Sequence, residues 1–368
     1  MTTLREGFTT GACAAACALA SCLWQRDGEC PAQVEIALPE GGAYRPEIHA
    51  LQPFCCAVYK DSGDDPDITN GVLVYARAEL GGEGITIRGG QGVGRVTKPG
   101  LDQPVGEAAI NSVPRRMIRE SVQEAIGISG KSDQNNIIIT IYIPDGERLA
   151  AKTFNPRMGI VGGISVLGTT GIVEPMSDMA LADSIRAEIR MLAARGNDFI
   201  LITLGNYGSD FATGVLGLDL EDGIMCSNFI DAALDTSVEC GFKKILLIGH
   251  IGKLVKLGIG MFNTHSHNGD GRMETMVMCA LQAGASLETL KALSECVTTD
   301  AAIDILDRAG LTDAVFEILQ NKILFHMSRR IPDETESGFL CFTNAAENAR
   351  ILMKSDNADR LIQEWRER

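Results

Sequence analysis

FILITLG, residues 199–205, is an apolar run, broken only by Thr203, that ends in a glycine. A second run of this kind, ILLIG, occupies residues 245–249. Continuous apolar strands are typical of parallel sheets that are buried on both faces. A helical stretch from about Ser227 to Cys240 lies between the two runs, so the pattern is β-α-β. It predicts a Rossmann-like, doubly wound α/β domain in the second half of the chain.

The segments around these runs extend the same domain. Ser177 is a suitable N-cap for a helix with apolar residues at helical spacing, and Gly196 ends that helix. From residue 287 onward the chain is predicted to be mainly helical, with a late strand at Gly338–Thr343. We therefore expect a Rossmann-like C-terminal domain over residues 156–368.

The first half has a different pattern, in which short strands alternate with helices. Ile137–Ile143 is a β-branched run and predicts a buried strand. Glycines at 81–84 predict a hairpin turn between strands at Val72–Leu80 and Ile85–Arg88. These features predict an N-terminal α+β domain over residues 1–155.

The N-terminus carries an apolar segment, residues 12–24, that resembles a signal peptide. A signal peptide needs a basic start, but here Arg5 and Glu6 cancel. Gly7–Gly11 instead predicts an ordered turn with a threonine N-cap, so we expect an internal helix. No run of the sequence is long and apolar enough to span a bilayer.

The charge balance and the cysteines limit the class of protein. The 368 residues carry a formal net charge of −15, which argues against a nucleic-acid partner and against an anionic membrane surface. The eleven cysteines have no framework spacing, which indicates reduced thiols. We expect a cytoplasmic protein without a nucleic-acid or membrane partner, and a homo-oligomer is allowed.

Two glycine-containing turns follow the two apolar strands. Gly205-Asn206-Tyr207-Gly208 follows the first strand, and Gly249-His250-Ile251-Gly252-Lys253 follows the second. Ligands of open α/β sheets bind beyond the carboxyl ends of the strands. Gly205, Asn206 and Gly249 are therefore predicted to contact a ligand, although ordinary βα turns also contain glycine.

Two histidines are candidate catalytic residues. His250 lies in the second of these turns, and His265 lies in the polar loop Met261–Asn268. Imidazole titrates near neutral pH, so either side chain could accept a proton or orient a carboxylate. His265, His267 and Glu274 could be metal ligands, but a His-x-His pair without a defined third ligand is a weak signal, so no protein-bound metal is predicted.

Residues 85–119 are basic within an acidic chain. Six cationic and two acidic side chains give this segment a net charge of +4. Arginine binds carboxylates bidentately, so cations beside the flexible glycines at 89–94 suit an anionic ligand. Lys98, Arg115 and Arg116 are therefore candidate substrate-binding residues. The alternative is solvated surface charge.

The segment from Lys152 to Ser177 combines glycines and hydroxyls with one arginine, Arg157. It matches neither a dinucleotide fingerprint nor a P-loop. It falls between the two predicted domains, where ligand sites concentrate. Gly162, Gly163 and Gly168 are predicted to shape such a site through their backbone, and Arg157 to bind a substrate carboxylate. The alternative is a connector that only packs tightly.

Four segments of the chain, in this order, resemble the cobalt-precorrin-5B C1-methyltransferase family (CbiD). From the first to the last they span about three-quarters of the chain. They are Gly7–Gly11 with its Ala-rich helix, Thr97–Leu101 through Pro114–Met117, Phe154–Ser177, and Gly249–Lys253 through Asn263–Ser266.

The resemblance implies an enzyme that methylates cobalt-precorrin-5B at C1, giving cobalt-precorrin-6A in anaerobic cobalamin biosynthesis. It also implies S-adenosylmethionine as the methyl donor and cobalt only as part of the substrate. The glycine-rich signature of common Rossmann methyltransferases is absent, so residue patterns alone do not predict a methyl donor. Methyl transfer needs alignment more than a strong base, and a polycarboxylate tetrapyrrole suits the basic segment.

The predicted ligand residues then divide between donor and acceptor. Gly162, Gly163, Gly168, Gly205, Asn206 and Gly249 are the predicted donor-binding residues. Thr9 and Thr10 join the cationic side chains as predicted substrate-binding residues. Two alternatives stay open: a non-enzymatic corrinoid or cobalt carrier, and another nucleotide-dependent tetrapyrrole enzyme.

Overall fold

The computed structural model describes residues 4–126, 136–153, 155–156, 158–343 and 349–368. The chain divides into two compact units, one that ends at Asp178 and one over Met179–Arg368. Both units combine helices with a mixed sheet, so this is a mixed α/β protein.

The first unit contains a five-stranded sheet, several two-stranded ladders and three helices in its described residues. Its strands are β1 (Gly7–Phe8), β2 (Ile36–Ala37), β3 (Ala43–Tyr44), β4 (His49–Gln52), β5 (Cys55–Tyr59), β6 (Leu73–Leu80), β7 (Ile85–Gly89), β8 (Gly92–Val93), β9 (Arg95–Val96), β10 (Ile137–Tyr142), β11 (Ile160–Val161), β12 (Gly163–Ile164) and β13 (Ile172–Val173). Its helices are α1 (Thr10–Asp27), α2 (Ser112–Ala125) and α3 (Gly146–Ala150).

Helix α1 lies at the centre of this unit. Thr9 is its N-cap and accepts a hydrogen bond from the Ala12 amide at 3.2 Å, and Gly28 ends it with a φ of 87°. Residues 10–22 are all buried. Because most of them are alanine or cysteine, α2 and β6 can approach α1 closely. The free thiols of Cys13 and Cys17 belong to this core.

The predicted hairpin between β6 and β7 is wrong. The sheet order is β4-β5-β6-β10-β7, so β10 lies between the two strands, antiparallel to β6 and parallel to β7. The glycines at 81–84 cross the start of β10, where the Gly81 amide donates to the Asn136 carbonyl at 2.8 Å. Residues 81–84 therefore connect β6 to β7 across the intervening strand β10, instead of forming a turn between two adjacent strands.

The first compact unit extends past residue 155 and ends at Asp178. The physical reason is strand pairing, because β11 pairs with β9, β12 with β8 and β13 with β1. Residues 160–173 are thus tied by backbone hydrogen bonds to the first 100 residues of the chain.

The second unit is a five-stranded sheet with helices on both faces. Its strands are β14 (Phe199–Thr203), β15 (Ile224–Met225), β16 (Lys244–His250), β17 (Glu336–Thr343) and β18 (Arg350–Lys354). Its helices are α4 (Asp178–Ala194), α5 (Gly205–Gly214), α6 (Ile230–Glu239), α7 (Ile251–Leu257), α8 (Arg272–Gln282), α9 (Leu287–Ser294), α10 (Thr299–Ala309), α11 (Thr312–Ser328) and α12 (Ala358–Arg366), with a 3-10 turn at Ser266–Asn268.

The strand order of this sheet is β15-β14-β16-β17-β18. Strands β14 to β17 are parallel, as the apolar runs predict, and β18 is antiparallel to β17. Successive residues of β14 and β16 enter two separate cores. Helices α5 and α12 contribute to the core on one face of the sheet, whereas α4, α6, α7, α8, α9, α10 and α11 contribute to the core on the other. Within the described residues, no helix has the length and apolar content to cross a membrane.

Candidate functional site

A cleft of about 440 Å³ opens in the second unit where β14 and β16 end. After β14 the chain enters α5 on one face of the sheet, and after β16 it enters α7 on the other face. Neighbouring parallel strands whose connections leave in opposite directions create a crevice at their carboxyl ends. The cleft is lined by Leu204, Gly205, Asn206, Tyr207, Met225, Ser227, His250, Gly252 and Lys253.

The two glycine-containing turns therefore meet, and three of the predicted residues, Gly205, Asn206 and His250, line the cleft. Gly249 lies behind it. A Cβ atom at Gly249 would come within 2.4 Å of Leu204 Cδ1, so glycine there lets the Leu204 side chain pack. Gly249 thus shapes the cleft through a neighbour, and its lack of a side chain has a packing reason.

His250 is held as a hydrogen-bond donor. It caps α7, and its Nδ1 atom accepts from the Gly252 amide at 3.1 Å. Burial lowers the pKa of His250, and Asp300 offsets this only in part. The neutral ring then carries its proton on Nε2 because Nδ1 is already an acceptor. With no free lone pair, His250 is suited to orient an acceptor group such as a carboxylate rather than to remove a proton.

Lys253 and Tyr207 also line the cleft, and both belong to the two glycine-containing turns, although neither is among the predicted site residues. Lys253 donates from Nζ to the Ser227 carbonyl at 3.0 Å. Tyr207 is 67% exposed, and its ring centre lies 5.9 Å from that of His250. The signal that could have found Lys253 is its position one helical turn after His250.

His265 lies in a separate, anchored loop and does not line the cleft. Its Nδ1 atom accepts from the His267 amide at 3.3 Å. Buried Lys256 holds the loop by donating to the Thr264 and Gly269 carbonyls at 3.1 and 2.9 Å. The described residues contain no cluster of three or more His, Cys, Asp or Glu side chains that could hold a metal ion.

Thr9 and Thr10, predicted to bind substrate, are buried in the first unit and hold the glycine-rich segment against α1. The Thr9 amide donates to the Gly171 carbonyl at 3.0 Å, and Thr10 Oγ1 accepts from the Leu167 amide at 3.0 Å. A Cβ atom on Gly168 would lie 2.4 Å from Thr9 Oγ1. These hydroxyls therefore have protein partners, and a substrate contact would have to displace them.

The other two predicted glycines of the segment differ from each other. Gly163 is buried, and a Cβ atom there would lie 2.1 Å from the Gly92 carbonyl oxygen. Gly162 is exposed, has a φ of 80° and has open space where a side chain would be. Only Gly162 therefore presents its backbone to solvent. Arg157, the predicted carboxylate ligand of this segment, lies outside the described residues.

The predicted cationic residues have different surroundings. Arg115 has a side chain that is 12% exposed; it donates to the Ile110 and Ala108 carbonyls and lies 3.6 Å from Glu107. Arg116 is exposed and only 4.0 Å from Glu120. Lys98 is half-buried and has no carboxylate within ion-pair distance in the described residues. Arg116 and Lys98 therefore remain the more available cations.

Arg115→Ala is expected to lower the free energy of unfolding by about 1–3 kcal/mol, because two backbone carbonyls lose a charged donor. Arg116→Ala is expected to change it by less than about 0.5 kcal/mol, because that side chain is exposed. Urea denaturation of both variants measures the difference. Equal losses for the two would contradict the structural role of Arg115.

Comparison with known proteins identifies relatives along most of the chain. The family model CbiD matches residues 1–175, and the model for the CbiD C-terminal domain matches residues 263–355. A protein of Ruminiclostridium cellulolyticum named cobalt-precorrin-5B C(1)-methyltransferase is 42% identical over 367 residues, which cover 98% of this chain and 95% of that protein. A protein of the same name from Photorhabdus laumondii is 41% identical over 334 residues, covering 89% and 86% of the two chains.

A solved structure is also similar, the cobalamin biosynthesis protein cbiD from Archaeoglobus fulgidus. It is 28% identical, the match covers 77% of this chain and 85% of that one, and the TM-score is 0.41. The order of matched segments along the sequence, the two family models and the near-complete coverage of curated relatives agree. The chain belongs to the CbiD family.

Proposed function

We propose that this protein methylates cobalt-precorrin-5B at C1 and gives cobalt-precorrin-6A in anaerobic cobalamin biosynthesis. The observation that carries the proposal is 42% identity over 98% of the chain to a protein with that name. The match extends over 367 residues and therefore includes both units and the positions that line the cleft. It supports an enzyme that transfers a methyl group, and it does not support the carrier or the other nucleotide-dependent enzyme.

We further propose that the cleft of the second unit binds the methyl donor, S-adenosylmethionine. A volume of about 440 Å³ falls in the usual range of small-molecule sites. Its lining combines apolar Leu204 and Met225, the exposed ring of Tyr207 and a few polar groups. The donor supplies an electrophilic methyl group on a sulfonium. A tyrosine ring can stack on the adenine base of the donor and can contact the sulfonium cation.

The contribution of the protein is then alignment rather than acid–base catalysis. Methyl transfer is an in-line displacement, so holding donor and acceptor in position supplies most of the rate. The Nε2–H group of His250 and the ammonium of Lys253 can orient polar groups of the ligand in the cleft. His265 stays a candidate catalytic residue that would have to act from its own loop.

Acceptor binding is proposed for the first unit. The substrate is a polycarboxylate tetrapyrrole, and the exposed cation Arg116 and the half-buried Lys98 suit carboxylates. Arg157 is proposed to take part as well, whereas Gly162 stays a predicted donor-binding residue. The cobalt ion belongs to the substrate, so the proposal needs no metal site in the protein.

The second unit is proposed to be a doubly wound, Rossmann-like domain. Numbered within the unit, its strand order is 2-1-3-4-5, which is the order of flavodoxin-like folds. The ligand site of such folds lies between the first and third strands, and the cleft lies between β14 and β16. A cytoplasmic location remains a proposal. So do assembly into a homo-oligomer and the absence of a nucleic-acid partner.

Purified protein incubated with cobalt-precorrin-5B and methyl-labelled S-adenosylmethionine is expected to transfer the label to the tetrapyrrole. Mass spectrometry of the product measures one added methyl group, and fragmentation places it on C1. A heat-denatured sample is the control. Folded protein that transfers no label to verified substrate would refute the proposed function.

A further inference from the structure

We infer that Lys253, together with His250, receives a carboxylate of the ligand that occupies the cleft of the second unit. The inference rests on the proposed function only for the identity of that ligand. It adds a specific partner for the ligand, a cation that neither the predicted donor residues nor the predicted catalytic residues include.

The ammonium of Lys253 has donor capacity to spare. Among the residues that the structure describes it makes one hydrogen bond, to the Ser227 carbonyl, whereas an ammonium has three donors. No carboxylate of the described residues lies within ion-pair distance of it, although the chain has 48 acidic residues. A partly buried cation without a counter-ion is costly, and an anionic ligand would relieve that cost.

Other lysines of the same unit show the contrast. Lys244 is paired with Glu364 at 2.6 Å. Lys256, one turn after Lys253 on α7, is buried and donates to the carbonyls of Thr264 and Gly269, so it anchors a loop. Lys253 differs from Lys244 because no carboxylate of the described residues pairs with it, and from Lys256 because it makes one hydrogen bond rather than two and lines the cleft.

The backbone around the ammonium keeps it in place and leaves space beside it. Ser227, whose carbonyl accepts from Lys253, has a φ of 52°. A left-handed serine costs conformational energy, and such strain clusters at functional sites. Gly205 is adjacent: it has a φ of 72°, and a Cβ atom there would lie 3.2 Å from Lys253 Nζ. Any side chain at position 205 would therefore crowd the ammonium.

His250 supplies the second donor. Its Nδ1 atom is occupied by the Gly252 amide, which leaves Nε2–H as the donor of the neutral ring. His250 is the N-cap of α7 and Lys253 lies in its first turn, and both side chains line the cleft. A carboxylate has two oxygens and can accept from an imidazole and an ammonium together.

Two parts of the reaction mixture carry carboxylates, the methionyl end of the methyl donor and the side chains of the tetrapyrrole. The test therefore compares ligands with and without that group. Lys253→Met removes the charge at similar length, Lys253→Arg keeps the charge, and Lys291→Met is the matched control at an exposed lysine on α9. Isothermal titration measures binding of S-adenosylmethionine, its decarboxylated analogue and uroporphyrin III.

We expect Lys253→Met to weaken binding of S-adenosylmethionine by about 10-fold to 100-fold, the usual value of a hydrogen bond to a charged group. Binding of the decarboxylated analogue should change less than about twofold, because the partner group is missing. Lys253→Arg should recover part of the affinity, and Lys291→Met should match the wild type. A loss confined to uroporphyrin III would also support the inference and would assign the carboxylate to the acceptor.

Two results would overturn the inference. One is a folded Lys253→Met protein, with an unchanged melting temperature, that binds all three ligands as the wild type does. The other is an equal loss for S-adenosylmethionine and its decarboxylated analogue, because the lysine would then act on another part of the ligand. Failure of the proposed function is separate: it would appear as no label transfer by the wild type, whatever the titrations give.

Discussion

Gly92→Ala is expected to lower the free energy of unfolding of the first unit by about 4 kcal/mol or more, among the largest effects of a single substitution. Gly92 has a φ of 76°, and a Cβ atom there would lie 1.7 Å from the Ile143 carbonyl oxygen. Gly146 and Gly163 both approach the Gly92 carbonyl so closely that a Cβ atom on either would lie 2.0–2.1 Å from it. Three chain segments meet at this point through backbone atoms, so the clash cannot be relieved by the movement of a side chain.

Gly162→Ala is the control for this prediction. Gly162 has a similar φ of 80° but nothing within 4 Å of a Cβ atom. It therefore reports the conformational cost alone, about 1–2 kcal/mol. Chemical denaturation of both variants, followed by circular dichroism, measures the two losses. Similar losses would mean that left-handed geometry, and not the contact of the three segments, accounts for the glycine at position 92.

Lys60→Met is expected to destabilise the first unit by roughly 3 kcal/mol, because it leaves a carboxylate without its cation. The Lys60 side chain is 2% exposed, and its Nζ atom lies 2.5 Å from Asp67 Oδ2. Asp67 also accepts from the Thr69 amide at 2.7 Å, and Lys60 donates to Ser62. This cluster closes the loop between β5 and β6.

The double variant Lys60→Met/Asp67→Asn separates pairing from packing. Its loss of stability should be smaller than the sum of the two single losses, because the double variant leaves neither an unpaired ammonium nor an unpaired carboxylate. Unfolding free energies of the four proteins give the coupling energy. Additive losses would show that the two side chains contribute independently, contrary to the expectation.

The same ion pair predicts a pH dependence of stability. Burial alone would raise the pKa of Asp67, but the Lys60 ammonium and the Thr69 donors outweigh it and hold that pKa below its ordinary value. A carboxyl group with a lowered pKa in the folded state stabilises the protein at pH values above its unfolded-state pKa of about 3.9. That contribution is lost as the pH falls through the folded-state value. Asp67→Asn should therefore flatten the acid limb of the stability curve.

Local signals predicted the elements that depend on short-range physics. Thr9 caps α1, Phe199–Thr203 and Lys244–His250 are parallel neighbours, and the late strand is present at Glu336–Thr343. Each depends on residues that are adjacent in sequence: a hydroxyl before a helix, or a run of apolar side chains that both faces of a sheet bury. Such signals can be interpreted without knowing which distant segment packs against the element.

Predictions that needed the identity of a partner were less secure. The glycines at 81–84 suit a hairpin, yet β10 enters between β6 and β7 from more than 40 residues further along the chain. Arg115 was predicted as a substrate ligand, and its guanidinium is held by two carbonyls of its own unit. The local sequence around residues 81–84 carries no signal for the inserted strand, and the local sequence around Arg115 carries none for the two carbonyls.

By itself the sequence determined the family, the two parallel strands and the cleft at their carboxyl ends, because the direction of parallel strands places both following turns at one edge. Only the tertiary structure decided which glycines of those turns and of the segment from Lys152 to Ser177 have packing reasons. Glycine marks close approach but does not name the neighbour: Gly163 meets a carbonyl, Gly168 meets Thr9, and Gly205 lies beside an ammonium. The charge of that ammonium was visible in the sequence, but the absence of a counter-ion for it among the described residues was not, because pairing depends on the three-dimensional surroundings.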